Sequence, residues 1–125
     1  MSQTKVLLVD DEVEFVLALA ERLQLRNYYV NTANNALEAL GIIYKDPPDV
    51  IILDLKIPGM DGLETLKTIK KFDPAIEVIM LTGHGDVRSV EEGMKSGAFE
   101  YIMKPIDIGE LTSKIDKAHG KRKKE

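Results

Sequence analysis

The sequence predicts an α/β fold, a single doubly wound (βα)5 domain of five parallel strands and five helices, and three observations lead there. Three four-residue runs, Val6 to Val9, Val50 to Leu53 and Val78 to Leu81, consist wholly of aliphatic residues and methionine, the pattern of strands buried on both faces. Between them lie segments with apolar residues three and four apart, the period of amphipathic helices. Proline and glycine fall at the joins. Strands alternating with helices imply parallel pairing through right-handed crossovers, with helices on both faces of an open sheet.

Taken in order, Val6 to Val9 opens the sheet, and Phe15, Leu19 and Leu23 mark the first helix. Tyr28 to Thr32 is a weaker, β-branched and aromatic strand signal. Ala36, Leu37, Leu40 and Ile43 form the stripe of a second helix, which Asp46-Pro47-Pro48-Asp49 ends. Val50 to Leu53 is the third strand. Gly62 to Phe72 repeats the helical spacing with Leu63, Leu66 and Ile69 and stops at Asp73-Pro74. Val78 to Leu81 is the fourth strand, followed by a shorter, more polar helix over Val87 to Ser96 that Gly97 terminates. Tyr101 to Met103 is a short fifth strand. Ile108, Leu111, Ile115 and Ala118 give a last helix to His119, and Gly120 reads as its stop. One domain over residues 1–119 is expected, with 120–125 as a basic tail or the start of a linker.

Bulk composition agrees. The 125 residues with 44% hydrophobic content suit one compact domain and leave no room for two. Lys and Arg number 17 against 21 Asp and Glu, so the net charge is −4 and nothing global favours direct nucleic-acid binding. Cysteine is absent, which excludes disulfides and thiolate metal sites. No secretory signal and no membrane-spanning apolar run is visible, so a cytoplasmic location away from the membrane is the expectation.

The chemistry sits where the strands end. Asp10 and Asp11 follow the first strand, Asp54 the third, Thr82 the fourth and Lys104 the fifth. In an open α/β sheet the carboxyl ends of the strands line one edge, where ligands bind, so these residues should converge. Three clustered carboxylates repel one another unless a cation joins them. An all-oxygen donor set suits a hard divalent ion, Mg²⁺ or Mn²⁺. One carboxylate can then serve as nucleophile toward phosphorus, with Lys104 and the Thr82 hydroxyl beside the transferring group.

Asp10-Asp11, the stretch Leu53-Asp54-Leu55-Lys56-Ile57-Pro58-Gly59-Met60-Asp61-Gly62, Thr82-Gly83-His84-Gly85 and Lys104-Pro105 together resemble the receiver domains of response regulators, over residues 5 to 119. The resemblance implies the strand order 2-1-3-4-5 of the flavodoxin-like fold and makes Asp54 the phosphoacceptor. By the same resemblance Asp11 and Asp54 are direct metal ligands, Asp10 acts through water, and the backbone carbonyl of Lys56 completes the set. Lys104 would contact the phosphoryl oxygens, with a cis peptide bond before Pro105 fixing its approach, and Thr82 and Tyr101 would form the switch pair. The implied partners are a histidine kinase or phosphotransfer protein, and an output protein or second copy at the face of the fourth helix, fifth strand and fifth helix. Such a module assists its own phosphorylation and dephosphorylation without being a turnover enzyme. Lys56 and His84, two residues after Asp54 and Thr82, are expected to modulate the access of water.

Plainer roles exist for several of these residues. Asp10 and Asp11 also suit capping of the first helix, and Tyr101 suits an ordinary core aromatic. Pro58-Gly59 and Asp61-Gly62 read as turn chemistry. Three other functions are weighed. A phosphatase of the haloacid dehalogenase type needs a second acid two residues after its nucleophile, where Lys56 stands. A flavodoxin-like cofactor binder needs a phosphate loop after the first strand, which is missing. A degenerate receiver that binds partners without phosphorylation would not need the full acidic set and Lys104.

Overall fold

The computed structural model describes residues 3–57, 61–83 and 87–124. Its elements run β1 (Lys5–Val9), α1 (Val13–Leu25), β2 (Tyr29–Ala33), α2 (Ala36–Lys45), β3 (Val50–Asp54), α3 (Gly62–Phe72), β4 (Glu77–Thr82), α4 (Val87–Lys95), β5 (Glu100–Met103) and α5 (Ile108–Lys124). All four strand pairings are parallel, in the order β2-β1-β3-β4-β5. Among the described residues no helix is long and apolar enough to cross a membrane.

The apolar runs make the sheet because each serves two cores. Successive side chains of a strand point to opposite faces. Val6, Leu8, Val50, Ile52, Ile79 and Leu81 therefore pack with Leu19 and Leu23 of α1 and Leu111 and Ile115 of α5. Their neighbours Leu7, Val9, Ile51, Leu53, Val78 and Met80 pack with Ile43 of α2 and Leu66 and Ile69 of α3. Every one of these strand residues is at most 2% exposed. In β1, β3 and β4 polar residues are consequently confined to the strand ends, and this places the chemistry there.

Helix ends follow local chemistry. Asn35 and Asp61 accept hydrogen bonds from Glu38 N and Glu64 N and so cap α2 and α3. At the end of α1, Asn27 adopts a left-handed φ of 70°, with Tyr28 N bonded to Leu23 O and Asn27 N to Gln24 O. This six-to-one and five-to-two pairing draws Tyr28 into the turn, so β2 begins at Tyr29, one residue later than its apolar signal. Gly97, at φ 107°, ends α4 in the same way.

The expected stop at Gly120 is not observed, since α5 continues through it to Lys124. A helical glycine costs only about 1 kcal/mol. The Lys-Arg-Lys-Lys run that follows is made of good helix formers whose charge suits a helix carboxyl terminus.

Candidate phosphoacceptor site

Two strands bring the acidic residues to the same sheet edge: β1 leads into Asp10 and Asp11, and β3 ends in Asp54. Asp10 directly follows β1 and is 1% exposed. Its backbone is tied to neighbouring chain, with Asp10 N donating to Ala33 O at 3.1 Å and Asn34 Nδ2 donating to Asp10 O at 3.0 Å. Its Oδ1 accepts from Glu12 N at 3.0 Å. Asp10 thus shapes the turn into α1 but does not cap it, because Glu12 occupies the cap position and its side chain makes no cap hydrogen bond. Asp54 ends β3, with its side chain 13% exposed. Lys56 N donates to Asp54 Oδ1 at 2.8 Å, orienting the carboxylate, while the Lys56 residue itself is exposed.

Carboxylate oxygens of Asp10, Asp11 and Asp54 lie within 4.8 Å of one another. Such a cluster strains its own ionisation: burial, the largest cause, and the charge of Asp10 push the Asp54 carboxyl above its ordinary range, against the pull of Lys56 N and Lys104. Asp10 Oδ2 is buried and takes no hydrogen bond. It meets Lys104 Nζ at 2.8 Å as a charge contact. A buried oxygen without a hydrogen bond, in an all-carboxylate group, fits a hard divalent cation.

Lys104 follows β5 and spans the cluster, 2.7 Å from Glu12 Oε1 and 3.5 Å from Asp54 Oδ2. Burial works to lower its pKa, but the close carboxylates of Asp10 and Glu12 and the charge of Asp54 hold it above the usual lysine value, fully charged. Its amide donates to Thr82 O at 2.9 Å, and the Lys104–Pro105 peptide bond is cis. Thr82 ends β4 and is buried, 4% exposed. Tyr101 points out of the core, 39% exposed, so it is not the core aromatic its strand position allows. Thr82 and Tyr101 line a cavity of about 180 Å³ with Gly83, Val87, Val90 and Met103.

The predicted residues therefore form two groups: Asp10, Asp11, Asp54 and Lys104 in the acidic cluster, and Thr82 with Tyr101 around the cavity beside it. His84 lies outside the described residues. Two members of the site escape a reading of the sequence. Glu12 and Phe15 both contact Lys104, the latter with its ring centroid 4.6 Å from Nζ. Phe15 looks like one more apolar residue of the α1 stripe, and Glu12 like one more acid at a helix start.

This fold, with an acidic cluster and a lysine at the carboxyl edge of the sheet, defines a class of signalling module. The chain belongs to the response regulator receiver domain family, whose model matches residues 6–116. Among its relatives is sporulation initiation phosphotransferase F of Bacillus subtilis, 39% identical over 117 residues that make up 94% of each chain. The transcriptional regulatory protein ZraR of Klebsiella oxytoca is 37% identical over 93% of this chain, which spans only 26% of ZraR. A response regulator receiver domain protein of Clostridium thermocellum superposes with a TM-score of 0.91 at 37% identity, covering 96% of this chain and 97% of that one. The chain is thus a receiver domain of the two-component type, and receiver domains bind Mg²⁺ at an acidic pocket and partner with histidine kinases or phosphotransfer proteins.

Proposed function

We propose that Asp54 is the phosphoacceptor of this receiver, taking a phosphoryl group from a histidine kinase, a phosphotransfer protein or a small phosphodonor in a reaction that requires Mg²⁺ or Mn²⁺. The observation that carries it is Asp54 itself, a half-buried carboxylate at a strand end, aimed by Lys56 N and flanked by Asp10, Asp11 and Lys104. Asp11 and Asp54 would hold the cation directly, Asp10 through water, and the Lys56 carbonyl would complete the protein ligands. When bound, such a cation would supply positive charge against the carboxylates and the transferring phosphoryl oxygens.

The chain's own groups do the rest. An Asp54 oxygen attacks phosphorus, the bond from phosphorus to the donor histidine nitrogen breaks, and that nitrogen keeps the electron pair. Lys104 meets the phosphoryl oxygens as a fixed positive charge. Water later attacks phosphorus and returns Asp54 to its carboxylate, with Lys56 and His84 controlling its approach. Thr82 and Tyr101 couple the modification to the surface of α4, β5 and α5, where an output protein or a second copy docks. We assign the module to residues 1–119, with 120–125 as a basic extension, and place its work in the cytoplasm, where it acts as a switch and not as a turnover enzyme.

Intact-protein mass after incubation with acetyl phosphate or phosphoramidate and Mg²⁺ tests this. The expected result is a gain of one phosphoryl group in the wild type and none in Asp54→Asn or with chelator. No gain from any donor would turn the proposal toward a receiver that binds its partners unmodified.

A further inference from the structure

Lys104 is held by more than the acidic cluster. Its ammonium carries three hydrogens. Two partners are short, Glu12 Oε1 at 2.7 Å and Asp10 Oδ2 at 2.8 Å, while Asp54 Oδ2 stands 3.5 Å away. The Phe15 ring, 4.6 Å from Nζ, adds a cation–π contact. Asp10 and Asp54 belong to the acidic cluster, whereas Glu12 and Phe15 stand at the start of α1, outside it. Glu12 holds the cap position of α1 without a side-chain cap bond. Its carboxylate, 63% exposed, turns to Lys104 instead.

We propose that Glu12, assisted by the Phe15 ring, is a positioning residue that holds Lys104 Nζ on the α1 side of the cluster, so that Glu12 and a phosphoryl group on Asp54 compete for one ammonium. The inference rests on the phosphoacceptor reading of Asp54 and adds a regulator to that site. A phosphoryl group on Asp54 needs Lys104 Nζ drawn toward it, and the pair with Glu12 holds Nζ toward α1, 2.7 Å from Glu12 Oε1 against 3.5 Å from Asp54 Oδ2. Asp10 is a poorer partner for Lys104 once its charge is shared with a divalent cation, which leaves Glu12 and Phe15 as the groups that retain the lysine. Removing the Glu12 charge then releases Lys104 to the anion. A partly exposed pair is worth up to about fivefold in an equilibrium, so Glu12 tunes how tightly the phosphoryl group is held and does not gate it absolutely.

Calorimetric titration of beryllofluoride, a non-covalent phosphoryl mimic, at saturating Mg²⁺ reads the competition. Glu12→Gln should bind it about two- to fivefold more tightly than wild type, Phe15→Leu about twofold more tightly, and Glu12→Asp and Glu14→Gln close to wild type. Direct repulsion between Glu12 and the anion would tighten Glu12→Gln and leave the uncharged Phe15→Leu change without effect, which overturns the role of Lys104. Unchanged or weaker binding in both variants overturns the competition altogether. A second readout needs neither metal nor anion. Lys104 Nζ stands over the Phe15 ring, so the ε-methylene protons next to it should resonate upfield through the ring current; Phe15→Leu should abolish that shift and Glu12→Gln reduce it. If Glu12→Gln leaves the shift whole, Glu12 does not hold the lysine. Should the wild type bind neither Mg²⁺ nor beryllofluoride, the phosphoacceptor reading fails, and the Lys104 resonance still decides whether Glu12 holds it.

Discussion

At the scale of single residues, Asp54 exchanges stability for reactivity. Burial raises its carboxyl pKa above the unfolded value. Between those two values the folded state binds more protons than the unfolded one, so stability falls as pH rises through that window, and above it the whole cost of the buried charge is present. Asp54→Asn should therefore raise the Tm at pH 7 in chelator by about 3 to 6 °C. That advantage should shrink as pH falls through the window, and differential scanning calorimetry at several pH values follows it. Mg²⁺ should raise the Tm of the wild type more than that of Asp54→Asn, because a ligand stabilises the state that binds it. An Asp54→Asn protein less stable than wild type at neutral pH would show the carboxylate to be structurally paired and not strained. Lys56 is exposed with its amide fixed on Asp54 Oδ1, and we propose that its side chain screens the acyl phosphate. Lys56→Ala should accordingly lose the phosphoryl group faster, as followed by loss of the phosphorylated mass; an unchanged rate would remove Lys56 as a modulator.

At the scale of elements, whatever depends on local pattern was legible in the sequence. Three aliphatic runs announced the central strands because residues buried on both faces have no polar alternation to blur them. The edge strands were placed less well. Tyr28 belongs to the αL turn that closes α1, and it is buried there because its hydroxyl reaches Asp116 Oδ1 at 2.6 Å, a partner 88 residues distant that no local signal contains. Gly120 misled for the opposite reason, since a glycine stops a helix only where a left-handed turn is wanted, as at Gly97 and not here. Two other glycines have a tertiary cause. A Cβ on Gly62 would come within 2.5 Å of the Leu55 Cα, and one on Gly93 would overlap Met80 Sδ. Backbone cannot yield as a methionine side chain can, so Gly62→Ala should cost about 3 kcal/mol and Gly93→Ala about 1 kcal/mol in urea unfolding. Equal costs would show that the loop around Leu55 shifts as readily as the Met80 side chain.

At the scale of the molecule, one sheet edge gathers residues from four strand ends, those of β1, β3, β4 and β5. The convergence of Asp10, Asp54 and Lys104 was legible because strand ends of a parallel sheet share an edge; the grip of Glu12 and Phe15 on Lys104 was not, because it depends on where one long side chain turns. The proposed link to the surface would run through Lys104, whose amide donates to Thr82 O at 2.9 Å, and through Thr82 and Tyr101, which share the cavity between α4 and β5. That half-open cavity, about 180 Å³, adjoins the exposed Tyr101 ring and is the space into which we propose the ring turns. On the proposed switch, the Thr82 hydroxyl moves toward the phosphoryl group, with Thr82 as the coupling residue and Tyr101 as the reporter. With fluorotyrosine incorporated, beryllofluoride and Mg²⁺ should shift the Tyr101 resonance and leave Tyr44, on the far side of the sheet edge chemistry in α2, unmoved. Thr82→Ala should still bind beryllofluoride, since the acidic cluster and Lys104 remain, but the Tyr101 shift should be lost or much reduced. A full Tyr101 shift in Thr82→Ala would mean that the signal reaches β5 through the Lys104 backbone alone, and the hydroxyl would then have no part in the switch.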